Sequence, residues 1–146
     1  MRDLMANDAP RGSRILAVML LVAGMGTFAY WLAFFSSGIV QATSEPCYLV
    51  FERAFPAADA WTAVAAIVAG VALLRRRPPA VLFGIAAGSG FTFLGLMDVL
   101  YNLEHGMYAL RSAEMAYEAL INVFCLTLGP ATMLYVWRWR VTLDPR

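Results

Sequence analysis

The chain contains no lysine, only one histidine (His105) and only two cysteines (Cys47 and Cys125). All of its basic side chains are arginines in short clusters beside apolar runs, which excludes the extended basic face of a nucleic-acid-binding protein. The two cysteines form no C-x-x-C motif, which argues against a dithiol oxidoreductase. A single histidine without ligand spacing argues against a resident metal, and no motif indicates a cofactor.

Charged residues are scarce as well. They make up 14% of the sequence, whereas 61% of the residues are hydrophobic. Soluble domains have about 25% charged and about 45–50% apolar residues. The composition therefore predicts an integral membrane protein. Because a membrane span takes about 20 apolar residues, four helices nearly fill the chain and leave no room for a soluble domain.

The apolar runs predict an all-α protein, a single-domain bundle of four transmembrane helices. The predicted spans cover residues 15–35, 57–74, 80–101 and 114–137. Pro56 is predicted to begin the second span, because the missing N–H of proline costs nothing at the first helical position. The amphipathic segment Y-L-V-F-E-R-A-F before it is predicted to form a short surface helix or the first turns of that span.

Small and aromatic residues predict how these helices are placed. Gly84 and Gly88 form a G-x-x-x-G pair with Gly95 on the same side, which predicts close packing against a neighbouring helix. At the end of the first run an aromatic cluster is predicted to form a belt at the membrane interface. The cluster consists of Tyr30, Trp31, Phe34 and Phe35.

Arginine clusters predict the orientation of the bundle. Since arginine-rich connections stay in the cytoplasm, both chain termini and the turn at 75–77 are predicted to be cytoplasmic. That side then carries nine arginines and three acids, a net +6, and the outer half two arginines and seven acids, a net −5, which gives the overall +1. The cytoplasmic set is Arg2, Arg11, Arg14, Arg75, Arg76, Arg77, Arg138, Arg140, Arg146, Asp3, Asp8 and Asp144; the outer set is Glu45, Glu52, Asp59, Asp98, Glu104, Glu114, Glu118, Arg53 and Arg111.

The acidic residues of the outer half predict a pocket within the bundle. Ionisable groups on a membrane helix are costly unless they meet partners, water or a ligand, so they indicate a functional site. At about 1.5 Å of rise per residue, Asp59, Asp98 and Glu118 lie about 22–28 Å from the cytoplasmic ends of their spans, so three helices bring carboxyl groups to one level. The acid–base candidates are Asp98, Glu118, Asp59, Glu52 and His105; the ligand-binding candidates are Asn102, Tyr101, Trp61, Glu114, Asn122 and Tyr117.

Each candidate also has a simpler structural interpretation. Asp59, in the first turn of the second span, suits the free backbone N–H groups of a helix start. Glu114 and Glu118 suit the N-terminus of the fourth span, and residues 102–105 suit an ordinary helix end. Asp98 fits this interpretation least, because it lies late in its helix, where the helix dipole disfavours an anion.

The pocket is compatible with several functions. Carboxyl groups crowded at low dielectric are predicted to include at least one that keeps its proton near neutral pH. This arrangement suits an isomerase or cyclase acting on a lipid-like alkene, with Trp61 or Tyr101 steadying a carbocation and His105 relaying protons to the outer water. The alternatives are a proton- or cation-coupled transporter or sensor, and an accessory subunit whose acids pair with Arg53 and Arg111.

Two strings in the sequence, F-E-R-A-F-P-A-A-D-A-W and G-L-M-D-V-L-Y-N-L-E-H-G-M-Y, resemble those of uncharacterised bacterial membrane proteins. Four short helices with acids on several of them also resemble, in architecture, the emopamil-binding/EXPERA group of membrane isomerases and ligand-binding proteins. That resemblance implies a ligand pocket inside the bundle. Small multidrug exporters also have four spans, but their hallmark acid in the first helix has no counterpart in residues 15–35.

Together these patterns predict a multi-pass protein of the bacterial inner (plasma) membrane, whose outward-facing acidic pocket handles a small molecule. The expected partners are membrane lipid and a small hydrophobic or cationic molecule, and no nucleic acid. A homodimer is compatible with the sequence. No resident metal or cofactor is expected.

Overall fold

The computed structural model describes residues 11–143. Helices make up 82% of these residues and no strand occurs among them, so the all-α prediction is confirmed. In order, the elements are α1 Ser13–Ser36, α2 Pro46–Glu52, α3 Pro56–Leu74, α4 Pro79–Glu104, a 3-10 turn Met107–Ala109, α5 Ala113–Arg138 and α6 Arg140–Leu143. The charges counted at Arg2, Asp3, Asp8, Asp144 and Arg146 lie outside the described residues.

Four of the helices between residues 11 and 143, namely α1, α3, α4 and α5, are long and apolar enough to cross a membrane. They correspond to the four predicted spans, Pro56 begins α3 as predicted, and the amphipathic segment before it forms the separate helix α2. The largest difference is at the end of α4, which continues to Glu104 rather than to residue 101. It stops there because Gly106 adopts a left-handed conformation, with φ 65°, of the kind that ends helices.

The four spans pack in the order α1, α3, α4, α5, each mainly against its neighbours in this row. The two outer members, α1 and α5, come together at the arginine-rich end, where the Tyr135 hydroxyl donates to the Arg11 carbonyl oxygen over 3.2 Å. At the opposite end, which carries α2 and the 3-10 turn, the row curves around a cavity. We call these the arginine end and the α2 end.

Glycines bring α4 and α5 into close contact. A Cβ on Gly88 would lie 2.7 Å from the carbonyl oxygen of Gly129, and a Cβ on Gly129 would lie 2.7 Å from that of Gly88. Gly84 and Gly95 also face α5, where a Cβ would meet side chains at 2.7 Å and 3.0 Å respectively. The predicted close packing of these glycines is therefore confirmed.

The arginine half of the bundle is filled by small and aliphatic side chains. Gly24 and Gly70 bring α1 against α3, since a Cβ on either would lie within 3 Å of a backbone oxygen of the other helix. The fully or nearly fully buried side chains of this core include Ala17, Leu20, Ala66, Ala69, Leu73, Ala80, Ala87 and Leu128. Dense packing closes this half and leaves the open space of the bundle in the half nearer α2.

Candidate functional site

A cavity of about 250 Å³ lies in the α2 half of the bundle and is lined by residues of all four spans. Four carboxyl groups lie on its wall, one each from α2, α3, α4 and α5: Glu52, Asp59, Asp98 and Glu118. Six aromatic rings share the wall: Tyr30, Trp31, Phe55, Phe91, Tyr117 and Phe124. The remaining lining consists of small or aliphatic residues and two threonines, so the carboxyl groups lie in a largely apolar chamber.

Glu118 is held by two hydrogen-bond donors. The Asn102 amide donates to Oε1 over 2.7 Å, and the Tyr48 hydroxyl donates to Oε2 over 3.1 Å. All three side chains are buried. Burial raises the pKa of the Tyr48 phenol, so this hydroxyl keeps its proton and acts as the donor. Two donors on two carboxylate oxygens stabilise the ionised form of Glu118.

Asp59 and Glu52 each accept one hydrogen bond from the end of α1. The Trp31 indole N–H donates to Asp59 Oδ2 over 2.7 Å, and the Tyr30 hydroxyl donates to Glu52 Oε2 over 3.4 Å. Asp59 therefore does more than complete the start of α3, since its partner comes from another helix. These bonds join α1 to the acidic wall.

Asp98 differs from the other three carboxyl groups, because it accepts no hydrogen bond from any described residue. It lies on the cavity wall, three residues after Gly95 and thus one turn beyond the close contact of α4 with α5. A carboxyl group in an apolar chamber without a protein donor is the one best placed to bind a ligand or to exchange a proton with it.

The cavity wall has no compensating cation within residues 11–143. Arg53 and Arg111 are exposed, and neither forms an ion pair with a cavity carboxyl group. The same stretch contains no group of three histidine, cysteine or acidic side chains that could hold a metal ion. Within this stretch, therefore, no internal salt bridge neutralises the four carboxyl groups of the cavity wall.

Six of the predicted residues lie outside the cavity lining. His105 is exposed at the end of α4 and stacks on Tyr101, with ring centroids 4.1 Å apart, while the other face of Tyr101 stacks on Phe51 at 3.9 Å. Trp61 is 59% exposed on the outer face of α3. Glu114 lies one turn before Glu118, beyond the end of the chamber.

Asn122 and Asn102 lie behind the cavity wall rather than on it. Asn122 is buried against the Tyr108 hydroxyl, to which its amide donates over 3.1 Å. In each asparagine the Oδ1 atom is buried and accepts no hydrogen bond from the described residues. Tyr117 is the only ligand-binding candidate that lines the cavity directly.

The sequence interpretation missed Tyr30, Trp31 and Tyr48 as site residues. It placed the aromatic cluster of α1 in an interfacial belt, which is wrong for Trp31 and Phe34, since they are 8% and 2% exposed. Trp31 is buried because its indole N–H donates a hydrogen bond to the Asp59 carboxylate inside the bundle. The burial of Tyr48 depends on the fold of α2 against the bundle and has no signal in the local sequence.

One side of the cavity is open. Val22 and Tyr117 line it from α1 and α5 and are 65% and 49% exposed. Gly26 lies between Val22 and Tyr30 on α1, and no described atom outside the neighbouring backbone of α1 lies within 4 Å of the position of a Cβ there. We call this opening between α1 and α5 the α1–α5 seam and define it by Val22, Gly26, Tyr117 and Ile121.

Glu52 is the cavity carboxyl group that lies outside the four spans. Burial raises its pKa, and the negative charges of Asp98, Glu118 and Asp59 raise it further, to about 8 from the usual 4.5. The folded protein therefore keeps a proton on Glu52 that the unfolded chain releases above about pH 4.5. This contribution to stability is complete below that pH and is lost as the pH rises through 8.

Replacing Glu52 with glutamine is expected to remove this pH dependence. At about 1.4 kcal/mol per pKa unit, the Glu52→Gln variant gains a few kcal/mol over the wild type between pH 5 and pH 9. Unfolding of the purified protein in mixed micelles across this range measures the difference. Glu104→Gln, at an exposed position, should show the same dependence of the unfolding free energy on pH as the wild type. If Glu52→Gln also keeps the wild-type pH dependence, Glu52 is not the group responsible for it.

Comparisons with protein-family models, with curated proteins and with solved structures gave no match.

Proposed function

We propose that the protein binds a small hydrophobic molecule that carries a positive charge or develops one during reaction. The observation that carries this proposal is the cavity wall, where four carboxyl groups and six aromatic rings face one chamber. No described arginine neutralises these carboxyl groups. Carboxylates attract a cation by charge, and aromatic faces attract it through the ring quadrupole.

The chemistry best suited to this wall is acid–base catalysis of an isomerisation or cyclisation. Asp98, free of protein donors, gives a proton to a carbon–carbon double bond and thereby forms a carbocation. Glu118, which accepts hydrogen bonds from the Asn102 amide and the Tyr48 hydroxyl, stabilises that charge in its ionised form together with the aromatic rings. Loss of a proton from a neighbouring carbon to a cavity carboxylate completes the rearrangement, and proton transfer between the crowded carboxyl groups restores Asp98.

Unequal surroundings of the carboxyl groups support these separate roles. Glu118 has two donors, Asp59 and Glu52 have one each, and Asp98 has none within residues 11–143. Acidic groups whose surroundings differ in this way divide into proton donors and stable anions. His105 and Trp61 have no part in this mechanism because they lie outside the cavity.

The alternative functions have less support. Coupled transport needs a second access route, and among the described residues the arginine half of the bundle is filled by the alanine and leucine core. An accessory subunit with internally paired acids needs ion pairs to Arg53 and Arg111, and these arginines are exposed. A sensor that binds a hydrophobic cation without reaction uses the same wall and differs only in lacking turnover.

Under this proposal the protein is a multi-pass protein of the inner (plasma) membrane, with the arginine end in the cytoplasm. The arginine clusters of the sequence support this orientation. The cavity then lies in the outer half of the bilayer. A hydrophobic ligand reaches it from the membrane or from the outer side.

Native mass spectrometry of the purified protein tests the proposal. The expected result is a co-purified hydrophobic molecule that is retained by the wild type and lost from Asp98→Asn, because the amide cannot balance a positive charge or exchange a proton. Glu114→Gln, which alters a carboxyl group outside the cavity, should retain the molecule. A molecule retained equally by Asp98→Asn would contradict a role for Asp98.

A further inference from the structure

The cavity is small compared with molecules that reside in a bilayer. Its volume is about 250 Å³. Pockets that enclose a whole drug-sized molecule have about 300–1,000 Å³. The cavity therefore accommodates a compact polar end with a few attached carbon atoms, and a longer apolar chain has to extend out of it.

Most directions out of the cavity are closed in the described structure. The arginine end is filled by the alanine and leucine core, and the α2 end is covered by Glu52 and Phe55. Between α3 and α4 the wall consists of Thr62 and Leu94, which are 3% and 8% exposed.

The remaining two helix pairs are closed by glycine contacts. Gly24 places α1 so near α3 that a Cβ would lie 2.7 Å from the Ala63 carbonyl oxygen. Gly95 does the same between α4 and α5, where a Cβ would lie 3.0 Å from Leu126. Only the α1–α5 seam combines lining residues with high exposure.

Gly26 is the residue that keeps the seam wide. A glycine inside a helix costs about 0.5–1 kcal/mol relative to alanine. The helix contacts that account for Gly24 and Gly88 do not apply here, because no described atom outside the neighbouring backbone of α1 lies within 4 Å of a Cβ at Gly26. Nor is its backbone left-handed, since Gly26 is not among the glycines with positive φ. What the missing side chain provides is clear space between the cavity and the outer surface of α1.

We infer that the ligand is a single-chain amphiphile whose polar end faces Asp98 and whose apolar chain leaves through the α1–α5 seam into the bilayer. This inference rests on the proposed function for the nature of the polar end. Its new content is the ligand class and the path of the chain. Val22 and Ile121 supply the aliphatic sides of that path, and Tyr117 lies at its outer edge.

Photolabelling in lipid nanodiscs tests the path of the chain. The probe is N,N-dimethyldodecylamine with a diazirine at the far end of the chain, and adducts are mapped by peptide mass spectrometry. The expected adducts lie on residues 18–29 and 113–124, the parts of α1 and α5 that flank the seam. They should disappear in Asp98→Asn and in an excess of unlabelled amine.

A pair of variants on α1 sharpens the test. Gly26→Leu is expected to reduce the seam adducts by about tenfold, because the leucine side chain occupies the space that the chain needs. Ala29→Leu, at an exposed position outside the cavity lining, should leave the adducts unchanged. If Gly26→Leu does not fold, the positions of the adducts on the wild type are sufficient to test the path of the chain.

The failure of this inference differs from the failure of the proposed function. A short amine, N,N-dimethylbenzylamine, needs only the cavity, and its Asp98-dependent stabilisation of the protein reports on the proposed function. Stabilisation by the short amine, with chain adducts around Trp61 and Phe93 or spread evenly over all four spans, would overturn the seam path alone. Absence of any Asp98-dependent stabilisation would overturn both.

Discussion

The Gly88→Ala variant is expected to be less stable than the wild type by about 3 kcal/mol, because overpacking a tight helix contact typically costs 1–3 kcal/mol and here involves backbone. An alanine Cβ would lie 2.6 Å from the Met133 side chain and 2.7 Å from the Gly129 carbonyl oxygen. The methionine can move, but the carbonyl oxygen belongs to the α5 backbone. The two helices must therefore separate along the length of their contact. Equilibrium unfolding in mixed micelles of SDS and a mild detergent measures the loss.

Gly26→Ala is the matched control for this prediction. It makes the same chemical change in another membrane helix, where no described atom outside the neighbouring backbone of that helix lies within 4 Å of the new Cβ. Alanine is the better helix former, so this variant should be as stable as the wild type or more stable by about 0.5–1 kcal/mol. Equal destabilisation by the two substitutions would show that glycine flexibility, rather than close packing, explains Gly88.

The spans and the packing of α4 against α5 were predictable because they depend on local patterns. Long apolar runs, each flanked by arginine or proline on at least one side, mark the four helices, and small residues at spacing four mark a close helix contact. Gly84 and Gly88 satisfy that pattern and do face α5. The pattern does not identify the partner helix, since any neighbouring helix with a matching small residue could pack against it. Gly129 becomes that partner only in the folded bundle.

The candidate site was predictable in its carboxyl groups but less so in its aromatic residues. Three spans place acids at one depth, and these acids do share a cavity wall. Trp61 follows Asp59 by two residues, which is about 200° around a helix, so its exposure on the outer face was implied by spacing. His105 was excluded by Gly106, which ends the helix before the polar face can continue.

Trp31 illustrates what local sequence leaves undetermined. A tryptophan near the end of a membrane helix serves equally well in the lipid interface or inside the bundle. Its position here is set by the Asp59 carboxylate, which belongs to a helix 28 residues away along the chain. The pairing of Trp31 with Asp59 depends on how α1 packs against α3, and it cannot be predicted from the spacing of residues within either helix.

The Asp98→Asn variant is expected to bind N,N-dimethylbenzylamine about 100-fold more weakly than the wild type. Removing one member of a desolvated charge pair costs about 2–5 kcal/mol, and 100-fold corresponds to about 2.7 kcal/mol. The amide keeps the size of the side chain, so the change acts on charge. Isothermal titration calorimetry of the protein in detergent measures both affinities. Glu114→Gln, with its substitution outside the cavity, should bind the amine as the wild type does.

A neutral ligand of the same shape separates charge from shape in this experiment. Isobutylbenzene replaces the protonated nitrogen of the amine with a carbon atom, so it fits the same apolar walls without a positive charge. Its affinity should differ by less than about threefold between wild type and Asp98→Asn, since only the apolar contacts remain. If the variant loses both ligands equally, the substitution has altered the shape of the cavity. If it loses neither, the positive charge of the ligand is bound by Glu118, Asp59 or Glu52 rather than by Asp98.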